Sequence, residues 1–493
     1  MTEHTFNLID NGWIHVQSGN DLQSLRQIFT RLELRRLSGN PVEKIAILRL
    51  LLAITHAAVS LPNRKAWLQL SLQDLSDIVC SYLDSWHDRF FLHGEQPFMQ
   101  FRQLDQGKTS PFSVAQLNVA TGNKVVLNSW NMPTPIDPPG KVMALLRQSF
   151  FACSGKKFDN DIALSPGHAK KPSGTYGTLT GFCGYLHTYL LGETLLDTVK
   201  NNLLTDDDLK QLPFAGLGRP FWEDMPDGEL SKRAQGYKSS YQGQLLPMDK
   251  FVFLKEDGMV MTEGITYDTY KTGLVDPAIT MRQDGKDIKT VWAKTDKKPW
   301  RELTALLAFL KLDAINKSPH FLSMGLEKLA YSQGIVMRFW TGGMQLSSNA
   351  GEQYISGMDD YVESEFHIPI SVSTQGGFDF FQQMITELER LAKITYSSVV
   401  NYYDILNTEQ KVANALVAAS KFWEAMEPRA QLILDLAFSC SADKQPKIEE
   451  EMNVWRKTVL RVYNQSCAKD SARQMTAWVK ASPKFSAQTK KGK

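Results

Sequence analysis

Phe381-Gln-Gln-Met-Ile-Thr-Glu-Leu-Glu-Arg-Leu-Ala392 is the stretch on which the architecture turns. Phe381, Met384, Ile385, Leu388, Leu391 and Ala392 recur at i, i+3 and i+4, which gathers them on one face of an α-helix. Gly376-Gly377 stands just before it, and the chain reads as helix from there on. Asn407 and Gln410 have capping-box spacing ahead of a second helix carrying Val412, Leu416, Ala419, Phe422 and Met426. Pro428 is expected to break or kink it. A third segment carries Leu432, Leu436 and Ala437. After Pro446 a long helix carries Ile448, Met452, Trp455, Val459 and Val462, and is expected to run to Val479. Four helical segments with short connections predict an antiparallel four-helix bundle over residues 371–493. Its basic, polar tail from Ser482 to Lys493 is expected to be disordered.

Residues 1–370 read differently, as a mixed α/β body, so the fold class is α+β. Phe6–Ile9 and Trp13–Val16 flank Asp10-Asn11-Gly12, strong turn chemistry that predicts a β-hairpin. Asn40-Pro41-Val42-Glu43 predicts a helix start, with Asn40 as cap, Pro41 in the first helical position and Glu43 reaching back to the cap. Residues 250–295 predict β-hairpins turning at Asp257-Gly258 and Asp284-Gly285.

Composition narrows the class. The chain has 493 residues, a 43% hydrophobic fraction and a formal net charge of +2, so it can bury a large core and carries no global charge bias. Five scattered cysteines, with no C-x-x-C pair, argue against a disulfide framework or zinc knuckle and for a reducing compartment. No signal peptide opens the chain, and Ile45–Ile54 is too short to span a bilayer. A cytoplasmic protein with no membrane contact and no cofactor is expected.

Motifs for catalysis are weak. Gly107-Lys108-Thr109 looks like the end of a phosphate-binding loop, but Arg102 stands where the motif needs glycine and Pro111 where it needs a helix. His87-Asp88 has no partner pair at helical spacing, and His56 and His187 read as core histidines. Asp206–Asp208, Asp359-Asp360 with Glu363 and Glu365, and Glu449–Glu451 are acidic clusters, which suit helix N-termini as well as hard cations. No enzyme activity is expected. Basic residues say more. Lys457, Arg461, Lys469, Arg473 and Lys480 form a stripe along the last helix that can follow a phosphate backbone or face solvent. Lys156-Lys157, Lys170-Lys171 and Lys297-Lys298 are paired cations in loops.

Several ordered segments resemble the large subunit of the type I-E CRISPR surveillance complex, Cascade, the CasA family. They are Phe6–Val16, Gly94–Gln100, Gln148–Gly155, Leu190–Leu196, Gly218–Trp222, Leu245–Lys250 and Gly264–Tyr267. The resemblance implies a non-catalytic subunit of an RNA-guided antiviral complex. Such a subunit recognises the protospacer-adjacent motif in double-stranded target DNA, promotes duplex opening and R-loop formation, and helps recruit a helicase–nuclease effector. Its implied partners are the backbone, handle-binding and small Cascade subunits and the CRISPR guide RNA. Pairing with the guide reads most of the sequence while protein reads a short motif.

By the same resemblance the family's glycine loop falls at Cys153-Ser154-Gly155-Lys156, which implies Ser154, Gly155, Lys156 and the neighbouring Lys157 as DNA contacts. This chain departs from the glycine-rich form, and Gly155 can also simply end a helix. The groove-reading lysine falls at Lys250, suited to the minor-groove acceptors of A·T and T·A; a solvated strand-edge lysine is the alternative. The wedge falls in Gly342–Gly351, with Gln345, Ser347, Ser348 and Asn349 as candidates, or else as an ordinary polar turn. The guide-RNA loop falls within Gly122–Trp130, with Val126, Asn128 and Trp130 as candidates. A scaffold that never reads DNA, or a metal-dependent nuclease using Asp359 and Asp360, stand as competing readings.

Overall fold

The computed structural model describes residues 5–17, 19, 21–115, 136–151, 164–165, 184–267, 275–284, 287–310, 319–332, 336–349, 352–354, 361–369, 375–438 and 444–485. Two compact units emerge. The first takes Met1–Pro299 and Ile315–Glu365, and the second Trp300–Ala314 and Phe366–Lys493.

The first unit is built around the Pro41–Ala58 helix. Asn40 caps it with both arms of a capping box to Glu43, and Pro41 opens it, as the sequence predicts. Its apolar side chains are buried almost all round, which marks a central core helix rather than an amphipathic one. Arg49 sits in that core at 2% exposure and pairs with Asp276 at 2.8 Å. Its guanidinium also donates to the Leu245 and Gln244 carbonyls, so the buried charge is matched on several sides. Two of the segments that carry the family resemblance meet in one aromatic cluster. Phe98 stacks on Trp222 and meets Phe221 at a 5.0 Å centroid distance, while Phe90 lies 5.3 Å from Trp222.

The hairpin expected at residues 6–16 does not form. The tight turn is present, with Asp10 and Asn11 donating to the Asn7 carbonyl, but the arms separate. Asn7 bridges to Phe91, Ile14 to Gln23 and Val16 to Leu37. A pair of short strands gains little on its own, and each arm buries more by joining the core. The later hairpins do form. Lys250–Leu254 pairs antiparallel with Gly258–Glu263, and Met281–Asp284 with Asp287–Thr290. A separate three-stranded sheet has the order Tyr361–Pro369, Val336–Met344, His187–Leu191.

In the second unit the 31-residue Gln375–Ile405 helix packs against Lys411–Met426, Ala430–Ala437, Lys444–Ser466 and Ala472–Lys480. The four expected segments thus become five helices among the described residues. The long last helix does not reach Val479: it ends at Ser466, and Ser471 caps a new one. The Asn407–Gln410 capping box is also absent. Gln410 is the N-cap but makes no side-chain cap bond, and Asn407 adopts φ +54°. That left-handed position closes the preceding helix, with Thr408 N donating to the Tyr403 carbonyl, and asparagine tolerates it better than most residues. Around Pro428 the helix breaks into a 3-10 turn, as expected. Trp300 meets Trp423 at 5.6 Å and Arg301 lies 3.8 Å over the Trp423 ring, which ties these two residues to the helices of this unit.

Candidate nucleic-acid interface

The Pro138–Phe151 helix organises the candidate interface. Asp137 caps it through Gly140 N at 2.9 Å, and its buried face packs on the Lys250–Leu254 strand. Near its C-terminal end the Ser149 carbonyl accepts from Asp249 N at 2.8 Å. Just beyond, the Phe151 ring meets His187 edge-on at 6.1 Å. His187 is the antiparallel partner of Gly342. One helix end therefore lies beside Lys250 and beside the strand that leads into the 342–351 stretch. Ser154, Gly155, Lys156 and Lys157 lie outside the described residues.

Lys250 is not a solvated edge lysine. It opens its strand directly opposite Glu263, and its Nζ donates to Glu263 Oε2 at 2.6 Å. The two side chains are only 3% and 7% exposed. The surrounding backbone is tight: Gly264 N donates to the Asp249 carbonyl and Ile265 N to the Met248 carbonyl. A Cβ on Gly264 would lie 2.0 Å from the Met248 carbonyl oxygen, so that position admits only glycine. The Ser165 hydroxyl reaches the Glu263 carbonyl at 2.6 Å. Removing one partner of a buried ion pair costs about 3–5 kcal/mol. A good base contact returns about 1–3 kcal/mol. Lys250 therefore cannot leave Glu263 for a base edge on the strength of that contact alone.

The 342–351 stretch holds the first strand of a short antiparallel pair whose second strand lies just beyond it. Ser347–Asn349 pairs with Glu352–Tyr354, with Asn349 opposite Glu352, which puts Asn349 next to the connection. Gln345 stands at the foot instead, where its Oε1 accepts from Thr295 N at 2.8 Å and from the Thr295 hydroxyl at 3.0 Å. Gly342 and Gly343 have packing reasons of their own. A Cβ on the first would lie 2.5 Å from the Trp340 ring, and one on the second 2.4 Å from the Tyr185 carbonyl. Val126, Asn128 and Trp130 lie outside the described residues.

The C-terminal basic stripe divides. Lys457 and Arg461 are exposed one turn apart on Lys444–Ser466. Lys469 falls in the break between helices, its Nζ 4.9 Å over the Trp478 ring. Arg473 lies in the next helix and donates to the Leu406 carbonyl at 3.0 Å, where a cation suits the end of the long helix. A single continuous helix face is thus replaced by positions spread over two helices and the break between them.

The acidic clusters have local explanations. Asp206–Asp208 form the first turn of a helix capped by Thr205, and Asp208 N and side chain complete the capping box. Asp208 is also 3.9 Å from Lys328 Nζ in the core. Burial pushes the Lys328 ammonium down to about 8, against the pull of Asp208. Burial, helped by Lys328, pushes His56 down to about 3, so His56 is a neutral core residue accepting from Leu204 N at 3.4 Å. Glu363 is bound by Lys44 and by the Trp340 indole at 2.7 and 2.8 Å. Glu451 is held by Arg429 and by the Trp455 indole. Asp359 and Asp360 lie outside the described residues, and among the described residues no three acidic, histidine or cysteine side chains are grouped to hold a metal.

The model of the CRISPR-associated protein Cse1 family matches residues 7–465. The chain belongs to this family. A curated Cse1 relative, CasA/Cse1 of Thermus thermophilus, is 26% identical over 335 residues, covering 61% of this chain and 60% of that protein. The alignment thus spans less than two thirds of the relative's length. The crystal structure of Thermobifida fusca Cse1 superposes with a TM-score of 0.74 at 17% identity, covering 97% of this chain and 96% of the other. A chain of a CRISPR RNA-guided surveillance complex superposes at 0.67 and 16% identity, covering 97% and 98%. At these identities the superpositions establish the Cse1 fold.

Glu263 is the residue that sequence reasoning missed. A signal was present: with the turn at Asp257-Gly258, antiparallel pairing of Phe251–Leu254 against Met259–Thr262 carries Glu263 opposite Lys250. Opposite charges facing each other across a ladder are a recognisable stabilising pair.

Proposed function

We propose that this chain is the large, non-catalytic subunit of a type I-E RNA-guided surveillance complex in the prokaryotic cytoplasm. Its first unit recognises a protospacer-adjacent motif in duplex DNA and promotes opening of the duplex next to it. It assembles with the backbone, handle-binding and small subunits and the guide RNA, and helps present the opened target to a helicase–nuclease. Membership of the Cse1 family supports the assignment, as does the solved surveillance-complex chain of the same fold. The observation that carries the DNA role is the convergence at the Pro138–Phe151 helix end. There Lys250 begins its strand, and Gly342 leads into the strand pair Ser347–Asn349 and Glu352–Tyr354.

Motif reading is assigned to the 154–157 segment together with Lys250, and duplex opening to the hairpin around Asn349. Inserting such a tip unstacks a base step at a cost of a few kcal/mol, which neighbouring contacts must offset. Lys457 and Arg461 are assigned to the phosphate backbone, and the 122–130 segment to the guide RNA.

The test is binding of motif-bearing duplex and of pre-opened target to the reconstituted complex. Replacing Ser347, Ser348 and Asn349 by alanine is expected to slow R-loop formation on duplex while sparing pre-opened target. Equal loss on both substrates points to the scaffold reading. Cleavage by the purified chain with magnesium or manganese, abolished by Asp359→Asn, points to the nuclease reading.

A further inference from the structure

We infer that Glu263 is a positioning residue that sets how available Lys250 is to DNA. The inference rests on the reading of Lys250 as a groove contact. In the chain without DNA, the Lys250 ammonium is enclosed against the Glu263 carboxylate at 2.6 Å, and both side chains are shielded from water. The other oxygen of that carboxylate, Oε1, is buried with no hydrogen-bond partner among the described residues. The pair is therefore asymmetric. Glu263 depends on the lysine for the main compensation of its buried charge, so departure of Lys250 leaves an uncompensated buried anion.

That asymmetry gives a sign. Neutralising Glu263 with an isosteric amide removes the anion left behind and weakens the ion pair that draws the lysine to the protein. The free state loses its ion pair, while the state with Lys250 against DNA does not. Duplex affinity should rise. If Glu263 instead only shaped the strand start, its loss would disorder Lys250 and affinity would fall. The two roles thus predict opposite signs.

The experiment uses the full chain in the reconstituted guide-RNA complex. The probe is a target duplex whose flanking motif has been selected from a randomised library. Glu263→Gln should tighten binding of this duplex about fivefold or more. Pre-opened target should be unchanged, and Lys250→Ala should cancel the gain in the double variant. Glu263→Asp, which keeps the charge, should bind as the parent does. Should Glu263→Gln perturb folding, seen as a large drop in melting temperature, Glu263→Asp with its shorter side chain and looser pair must still bind at least as tightly as the parent. Weaker duplex binding by both Glu263 variants, or a gain that persists without Lys250, overturns the inference while leaving the motif-recognition reading intact. No effect of Lys250→Ala on duplex binding overturns the role of Lys250 itself, and the inference with it.

Discussion

Lys250 and the Lys457–Arg461 pair are both cations in candidate DNA-binding positions, and they sit in opposite physical settings. Lys250 is enclosed against Glu263 in the first unit. Lys457 and Arg461 stand in solvent on a helix of the second. An exposed cation meets a phosphate at little cost and contributes mainly salt-dependent, sequence-independent affinity. An enclosed cation must give up a partner first, so it responds only to a ligand that replaces that partner. The contrast teaches that position in a family motif and availability to a ligand are separate properties.

The largest effect expected from this contrast lies with a buried cation that serves the fold alone. Asp276→Ala strands Arg49 and should cost about 3–5 kcal/mol in urea unfolding. A loss under about 1 kcal/mol would mean that burial is a poor guide to what a cation contributes here, and would weaken the argument for Lys250 too. Lys250→Ala comes next, weakening motif-bearing duplex by at least about 1 kcal/mol and pre-opened target less. Asn407→Ala should cost roughly 1 kcal/mol of second-unit stability by straining the left-handed helix end, while Asn407→Gly should be tolerated. Lys457→Ala and Arg461→Ala should change stability by no more than about 0.5 kcal/mol. Each should lower the slope of log affinity against log salt by about one if it touches a phosphate. A slope unchanged by both would remove the backbone role from that helix.

Acid sharpens the same theme through His56. Its folded value near 3 lies below the ordinary 6.5, so the unfolded chain binds the proton more readily. Its contribution is present above about pH 6.5 and is lost as pH falls toward 3. His56→Gln should flatten that part of the stability–pH curve measured by urea unfolding.

Much of the fold was legible locally. The Asn40–Glu43 capping box, the hairpins at 250–263 and 281–290, and the break at Pro428 were all readable because each rests on a few neighbouring residues. The errors share a cause as well. Phe6–Val16 has hairpin chemistry, yet its arms are claimed by Phe91, Gln23 and Leu37. Asn407 has capping chemistry, yet it closes one helix instead of opening the next. In the candidate interface, Lys250 was identified at the start of its strand, but its burial and its partner were not.

Sequence by itself determined the α+β class, the helical C-terminal part, the segments that carry the family resemblance and the weakness of every catalytic motif. These depend on periodicity, turn residues and short ordered strings, which survive without knowledge of what packs on what. Only the tertiary structure decided that Phe98, Trp222 and Phe90 share one cluster, and that the Pro138–Phe151 helix end adjoins both Lys250 and the strand leading to the hairpin. Only it decided that Lys250 faces an acid and not solvent. Burial and charge pairing join residues far apart in the chain, and their energies depend on the local dielectric, which no short stretch of sequence carries.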